Sequence, residues 1–210
     1  MEGQVASDPF RTLAGAAIFD GMRKSDSLIH EFWSWFQANA REDDLSGDLD
    51  VGIDEWMDRL AVPDWETGPL AENGMFLAVS PCGSPDKYSH TKHIVALAPS
   101  VVGWSFLAAR PKKDWNRVFL WSIHGEIDAN GWKVVCFKYP DGLFELAFLD
   151  ETVPQLPMDE KLTLTEFVVA SEVGEDALIT KICTISFDTE PTPEMLEASI
   201  PLSDLERAIG

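Results

Sequence analysis

Arg110, Lys112, Lys113 and Arg117 put four of the chain's sixteen basic residues within eight positions, and Trp115 lies among them. In a chain of net charge −20, this is the one place where positive potential can concentrate. A cationic loop carrying an aromatic ring can hold an anion or an acidic partner, through charge-assisted hydrogen bonds and ring packing. Arg110, Lys112, Lys113, Trp115 and Arg117 are therefore the expected binding residues. The competing expectation is that these cations form salt bridges inside the chain, to acidic helices at its two ends. Charge reversal at Lys112 and Lys113 separates the two, by lost binding in one case and lost stability in the other.

His90 and His93 stand three residues apart, with Asp86 one helical turn earlier and His124 elsewhere. Two histidines on one helical face can ligate a metal when a third ligand arrives from another element. The chain has no Glu-x-x-His repeat and no Cys-x-x-Cys pair to strengthen that reading, so no metal site is assigned. Cys82 comes just before the start of the same helix, where the dipole can depress a thiol pKa and an imidazole could complete a Cys–His pair. A thiolate there predicts faster alkylation of Cys82 than of Cys136 below neutral pH. The surrounding Pro81-Cys82-Gly83-Ser84-Pro85 matches no thiol-enzyme signature. Phosphate-binding glycine loops and the Gly-x-Ser-x-Gly elbow are absent from the sequence. Acid pairs such as Asp43-Asp44 read as a solvated face. No catalytic residue and no cofactor follow.

The elements that must position these residues are punctuated most clearly in the middle of the chain. Trp65–Leu70 and Met75–Ser80 are short extended segments separated by Ala71-Glu72-Asn73-Gly74, and Asn-Gly is a strong hairpin signal. Ser84-Pro85-Asp86 reads as a helix start, with a hydroxyl N-cap, proline at the first helical position and an acid at the positive dipole end. Ala98-Pro99 closes that helix, and Gly103 precedes a strand from Trp104 to Arg110. The result is a ββαβ unit. Before it, Ser27 is the expected cap of a helix to about Ala40, with Leu28, Ile29, Phe32, Trp33 and Phe36 at helical spacing. Phe32, Trp33, Trp35 and Phe36 cannot all share one face, so one of the tryptophans is expected to be exposed. A second helix covers about Leu49–Leu60. Phe10–Met22, broken by Gly15 and Gly21, has no clear period.

After the polar connector Pro111–Arg117, Val118–Ile123 reads as a strand. Trp132–Tyr139 and Leu143–Leu149 form another pair about Pro140-Asp141-Gly142. Val134 and Cys136 alternate with Val135 and Phe137, so both faces of that strand are expected to be partly covered. Lys161–Val173 has helical spacing, Ile182–Phe187 reads as a strand, and Ser203–Ile209 as a short helix. The expected fold is α+β, with a mainly antiparallel sheet built around the ββαβ unit and helices from both termini packed on it. One domain over 1–210 is expected: a helical segment at 1–64, a sheet-rich centre at 65–150, and helices with one strand at 151–210.

Forty-five percent hydrophobic residues, eight Trp and twelve Phe supply a packed core rather than a disordered chain. No apolar run approaches the roughly 18 residues that cross a bilayer. Met1–Asp8 has no basic stretch leading into an apolar core, so no signal peptide is read. Cys82, Cys136 and Cys183 are odd in number and widely spaced, which suits unpaired thiols in a reducing cytoplasm. The acidity is uneven: residues 1–64, 65–150 and 151–210 carry net −9, −1 and −10. Such a field repels nucleic acid and anionic membranes and suits a basic protein partner.

The segments Phe76-Leu-Ala-Val-Ser80, Ile94-Val-Ala-Leu-Ala-Pro99 and Gly103-Trp104 through Arg110-Pro111 resemble an uncharacterised family of bacterial proteins. A strand, a helix ending in Ala-Pro and a Gly-Trp strand ending in Arg-Pro recur there. Trp132–Phe148, with its Tyr-Pro-Asp-Gly turn, is similar as well. The resemblance implies a bacterial cytoplasmic origin and names no catalytic residues.

The functional expectation is a non-enzymatic, cytoplasmic protein that binds another protein, of immunity or adaptor type. The alternative is a small-ligand binder or enzyme, with its site where the helix start at Ser84 meets the loop around Trp115. A deep pocket lined by Trp104, Trp115 and His124 would favour the alternative, and a flat acidic face the first. Self-association through an unpaired strand edge or the aromatic helix, giving a homodimer, is a third.

Overall fold

The computed structural model describes residues 25–40, 47–70, 74–121 and 124–210. The segment Phe10–Met22, residues 41–46 between the two expected helices, residues 71–73 of the expected hairpin turn and the end of the expected strand at 122–123 lie outside them. The fold is α+β, and four of its six strand pairings are antiparallel. The strands divide over three sheets, each with its own covering elements.

Residues 25–39 form α1, and Gly47–Arg59 form α2. Ile29, Phe32, Trp33 and Phe36 recur at helical spacing and are all buried, so α1 presents one apolar stripe to the core. Ser27 lies inside the helix rather than at its cap, and its hydroxyl donates to Glu31 at 3.4 Å. Trp35 is the tryptophan off the stripe, half-buried against Gly52 of α2.

The ββαβ unit follows: β1 (Asp64–Leu70), β2 (Gly74–Ser80), α3 (Pro85–Ala96) and β3 (Trp104–Leu107). β2 is central, antiparallel to β1 and parallel to β3. Its residues from Met75 to Ser80 are all buried, as a strand covered on both faces requires. The indole of Trp33 donates to the Ile94 carbonyl at 2.9 Å and ties α1 to α3. Ser84 occupies the N-cap position of α3, but its side chain makes no capping bond. Helices α1 to α3 and this sheet enclose the first core.

The second core lies under a four-stranded sheet ordered β8–β7–β6–β9. Its strands are β6 (Lys133–Lys138), β7 (Phe144–Leu149), β8 (Ile182–Asp188) and β9 (Ile200–Pro201). Helices α4 (Met158–Val173), α5 (Glu175–Lys181), α6 (Pro193–Ala198) and α7 (Leu205–Ile209) complete this half. Val134 joins the second core. Val135 faces the other way, against Ala147, Leu149 and Met195 of α6. Both faces of β6 are covered at that end, while Phe137 is exposed. A short pair, β4 (Val118–Leu120) and β5 (Glu126–Asp128), forms the third sheet. Among the described residues, no helix is long and apolar enough to cross a membrane.

Candidate functional site

Residues Arg110–Arg117 leave β3 as an irregular strap laid against the corner where α4 meets α5. Arg110 N–H donates to Glu175 Oε2 at 2.8 Å, and Glu175 N–H returns a bond to the Arg110 carbonyl at 2.9 Å. Lys113 N–H donates to the Ser171 carbonyl at 2.7 Å. Gly174, at φ +85°, makes the corner. A Cβ there would stand 3.4 Å from Lys112 N in a backbone region that L side chains rarely adopt.

Each of the four strap cations faces a carboxylate. Arg110 pairs with Asp64 and, at 3.6 Å, with Glu66, while Lys113 reaches Glu66 at 3.3 Å. Lys112 reaches Glu206 of α7 at 2.7 Å. Arg117 Nε lies 2.7 Å from Glu172 Oε1, and its Nη2 donates to Oε2 at 3.0 Å. Trp115 Nε1 donates to the same carboxylate at 3.0 Å. Two of the cations thus meet acids on C-terminal helices, as the internal salt-bridge reading expected. The other two meet β1 instead. The five residues sit on one segment, but their charged heads diverge to separate partners.

Glu175 is buried, at 2 % exposure. Its carboxylate accepts from Ser80 Oγ at 2.9 and 3.0 Å, from Gly83 N at 2.7 Å and from Arg110 N at 2.8 Å. The end of β2, the turn before α3 and the strap therefore converge on one group from α5. Tyr88 of α3 adds a hydrogen bond to Asp176. Burial first, and that bond second, push the Tyr88 phenol up to about 12.

A cavity of about 220 Å³ opens beside this junction. The Cys82–Gly83 turn and the strap residues Arg110, Pro111 and Lys113 form one side. Thr163, Glu166, Phe167 and Ala170 of α4, with Leu178 and Trp121, form the other. A second cavity of about 200 Å³ shares Gly83, Glu166 and Leu178 and extends toward Cys183 and Thr184. The main cavity lies at the turn before α3 and the strap, where the ligand-binding alternative expected one, but with different walls. Trp104 stands edge-on to Phe36 at 5.0 Å in the first core. Trp115 stands edge-on to Phe167 at 6.1 Å, and His124 pairs with Glu160 at 2.6 Å.

Cys82 adopts φ +51° and Arg117 φ +61°, a backbone region uncommon for residues other than glycine. Burial and then the neighbouring Asp64 carboxylate push the Cys82 thiol above its ordinary range. A thiolate at Cys82 is therefore disfavoured, by burial first and then by an Asp64 oxygen 4.0 Å from Sγ that opposes a second negative charge. His90 and His93 also part company. His90 Nε2 lies 2.8 Å from the Leu60 carbonyl, and His93 Nε2 lies 2.7 Å from Asp26 Oδ1. Among the described residues, no group of three or more His, Cys, Asp or Glu side chains is placed to hold a metal ion.

Glu166 is the group that sequence reasoning missed. It lines both cavities and has no hydrogen-bonding or ion-pairing partner among the described residues. Burial of part of its surface pushes its carboxyl above the usual range. Glu172 and Glu175 were missed too, although a signal existed. They stand in the otherwise apolar run Phe167-Val-Val-Ala-Ser-Glu172-Val-Gly-Glu175, where a solvated face is not expected. No protein-family model, curated protein or solved structure matches the chain.

Proposed function

We propose that this chain is a non-enzymatic binding protein, of immunity or adaptor type, whose acidic surface receives a basic protein partner in a bacterial cytoplasm. The observation that carries the reading is the placement of charge on α2. Asp50, Asp54 and Asp58 repeat at four-residue spacing, with Glu55 beside them, and Asp58 sits in the last turn. Like charges at that spacing cost a helix about 0.2–0.5 kcal/mol per pair, and acids at a C-terminal end oppose the dipole. Asp54 accepts the Trp65 indole at 2.6 Å. Glu55 and Asp58 are exposed and have no ion-pair partner among the described residues. An arrangement that works against its own helix is accounted for by an incoming cationic surface. The strap cations, each paired with a carboxylate of the same chain, leave the acid excess unmatched. Three free cysteines suit the reducing compartment.

The test is affinity capture from the native lysate at low and high salt, with wild type and a Glu55→Lys/Asp58→Lys double variant. Screening shortens from about 10 Å at 0.1 M to about 3 Å at 1 M salt. A stoichiometric basic protein that is lost both at high salt and with the variant supports the reading. No partner, or a partner that the variant retains, overturns it.

The cavity beside Glu175 favours a second reading, that of a small-ligand binder. Its support is the unpartnered Glu166 carboxylate in a cleft also lined by buried Glu175, which is held by Ser80, Gly83 and Arg110.

A further inference from the structure

We propose that the cavity between the Cys82–Gly83 turn, the strap and α4 binds a small organic cation, an amine or quaternary ammonium on a compact apolar body. The inference rests on the small-ligand reading and adds the class of ligand. Charge decides it. Arg110 and Lys113 already face Asp64 and Glu66, and an anionic ligand would have to draw them away from those partners. Glu175 already accepts bonds from Ser80, Gly83 and Arg110. Of the two carboxylates that line the cavity, Glu166, on an exposed residue, is the one with no partner among the described residues, so the electrostatic role it offers is that of a cation's counter-charge.

The aromatic lining agrees. Trp121 and Phe167 stand 5.6 Å apart, tilted by 42°, and both border the cavity. Aromatic faces attract cations, tryptophan most strongly, by about 0.5–2 kcal/mol depending on desolvation. Lys113 Nζ already lies 5.7 Å from the Phe167 ring, with its charge met by Glu66. The ligand's head is therefore assigned to Glu166 rather than to the Lys113 end, with the Trp121 and Phe167 rings in the same lining. At about 220 Å³ the space suits a compact molecule; pockets for drug-sized ligands run to about 300–1,000 Å³. The field of a chain with net charge −20 concentrates cations before they arrive.

Calorimetric titration of the full chain with phenethylamine, 2-phenylethanol and 3-phenylpropionate tests the assignment, since the probes share a ring and differ in charge. The amine is expected to bind about tenfold tighter than the alcohol, and the carboxylate weakest. Glu166→Gln is expected to bring the amine down to the level of the alcohol without lowering the urea midpoint. Glu160→Gln, which alters an exposed acid earlier on the same helix, is expected to leave binding unchanged. Amine binding should also strengthen with pH as Glu166 ionises. Equal binding of amine and alcohol, preference for the carboxylate, or amine binding indifferent to Glu166→Gln would overturn the cation assignment and leave a ligand cavity. Absence of binding by all three probes would overturn both.

Discussion

The Glu175 carboxylate accepts the Ser80 hydroxyl through both of its oxygens, at 2.9 and 3.0 Å, across 95 positions of sequence. Ser80 ends the central strand of the first sheet, and Glu175 opens α5 in the half that holds the second core. Both side chains are buried. An ionised group away from water is tolerated when its lone pairs are occupied by donors, and here Gly83 and Arg110 N–H groups supply the remainder. The same contacts fix the turn and the strap that wall the cavity.

Removing Glu175 should therefore act on stability and on the cavity together. Glu175→Ala leaves the Ser80 hydroxyl and two backbone donors without their acceptor and is expected to cost about 3 kcal/mol. Glu175→Gln keeps one acceptor oxygen and should cost roughly half as much. Urea denaturation of the two variants measures this; equal midpoints for Glu175→Ala and wild type would show the junction to be unimportant.

The strap cations should divide into one that matters and one that does not. Arg117 faces a Glu172 carboxylate that is 6 % exposed and shared with the Trp115 indole. Arg117→Ala leaves that charge buried without its cation and is expected to cost about 2–3 kcal/mol. Lys112 and Glu206 are each more than half exposed, and Lys112→Ala should change stability by less than about 0.5 kcal/mol. Double-mutant cycles on the two pairs provide the comparison. A large coupling for Lys112–Glu206 would contradict the difference in burial.

Why the sequence disclosed the ββαβ unit and not these pairings follows from range. Pro85, Gly103 and the apolar run of β2 are local signals, and each marks a boundary within a few residues of where it lies. Sheet membership is not local. Phe144 meets Ile182 and Lys133 meets Pro201 only after long connections have closed, so the three sheets were not separable beforehand. β5 and β9 are too short to show a period, and α5 restarts after Gly174 where an apolar helix looked finished. In the site, the cluster Arg110–Arg117 was visible as composition. Its partners Asp64, Glu66, Glu172 and Glu206 come from three other parts of the chain. Glu166 was hidden differently, as one acid among thirty-six; only its place in the walls of both cavities sets it apart.

Cys82 and Cys136 should behave as poor nucleophiles. Burial and Asp64 push the Cys82 thiol upward, and burial alone pushes Cys136 up to about 11. A raised thiol pKa leaves less thiolate at neutral pH, and only the thiolate attacks iodoacetamide. Labelling of Cys82, followed by peptide mass spectrometry, should show no rapid phase below pH 7 and rise only in alkaline buffer. Asp64→Asn removes one of the opposing charges and should speed Cys82 labelling with Cys136 unchanged.

Glu166 gives a pH dependence of defined sign. Its folded pKa lies above the unfolded value because burial disfavours the charged form. The folded state thus holds the proton longer, and stability from this group is present below the unfolded pKa and is lost as pH rises through the folded one. Glu166→Gln should raise the melting temperature at pH 7. The gain should disappear at pH 3, where the carboxyl is protonated in both states. A variant less stable than wild type at pH 7 would mean that the carboxylate has a favourable partner after all.

Gly52 and Trp35 provide the last test, on packing. Gly52 lies within α2, where alanine would ordinarily gain about 1 kcal/mol of helix propensity. A Cβ at Gly52 would stand 2.2 Å from Trp35 Cζ2 and 2.7 Å from Cη2. The indole cannot simply withdraw, because Phe32, Phe36 and Trp56 surround it at 6.2 to 6.4 Å between ring centres. Gly52→Ala should therefore destabilise by about 1–2 kcal/mol, overpacking outweighing propensity. In a Trp35→Leu background the obstruction is gone, and the same Gly52→Ala change should become stabilising. Thermal melts of the four proteins read the reversal directly. A destabilising effect of similar size in both backgrounds would place the cost in the α2 backbone rather than in the contact with Trp35.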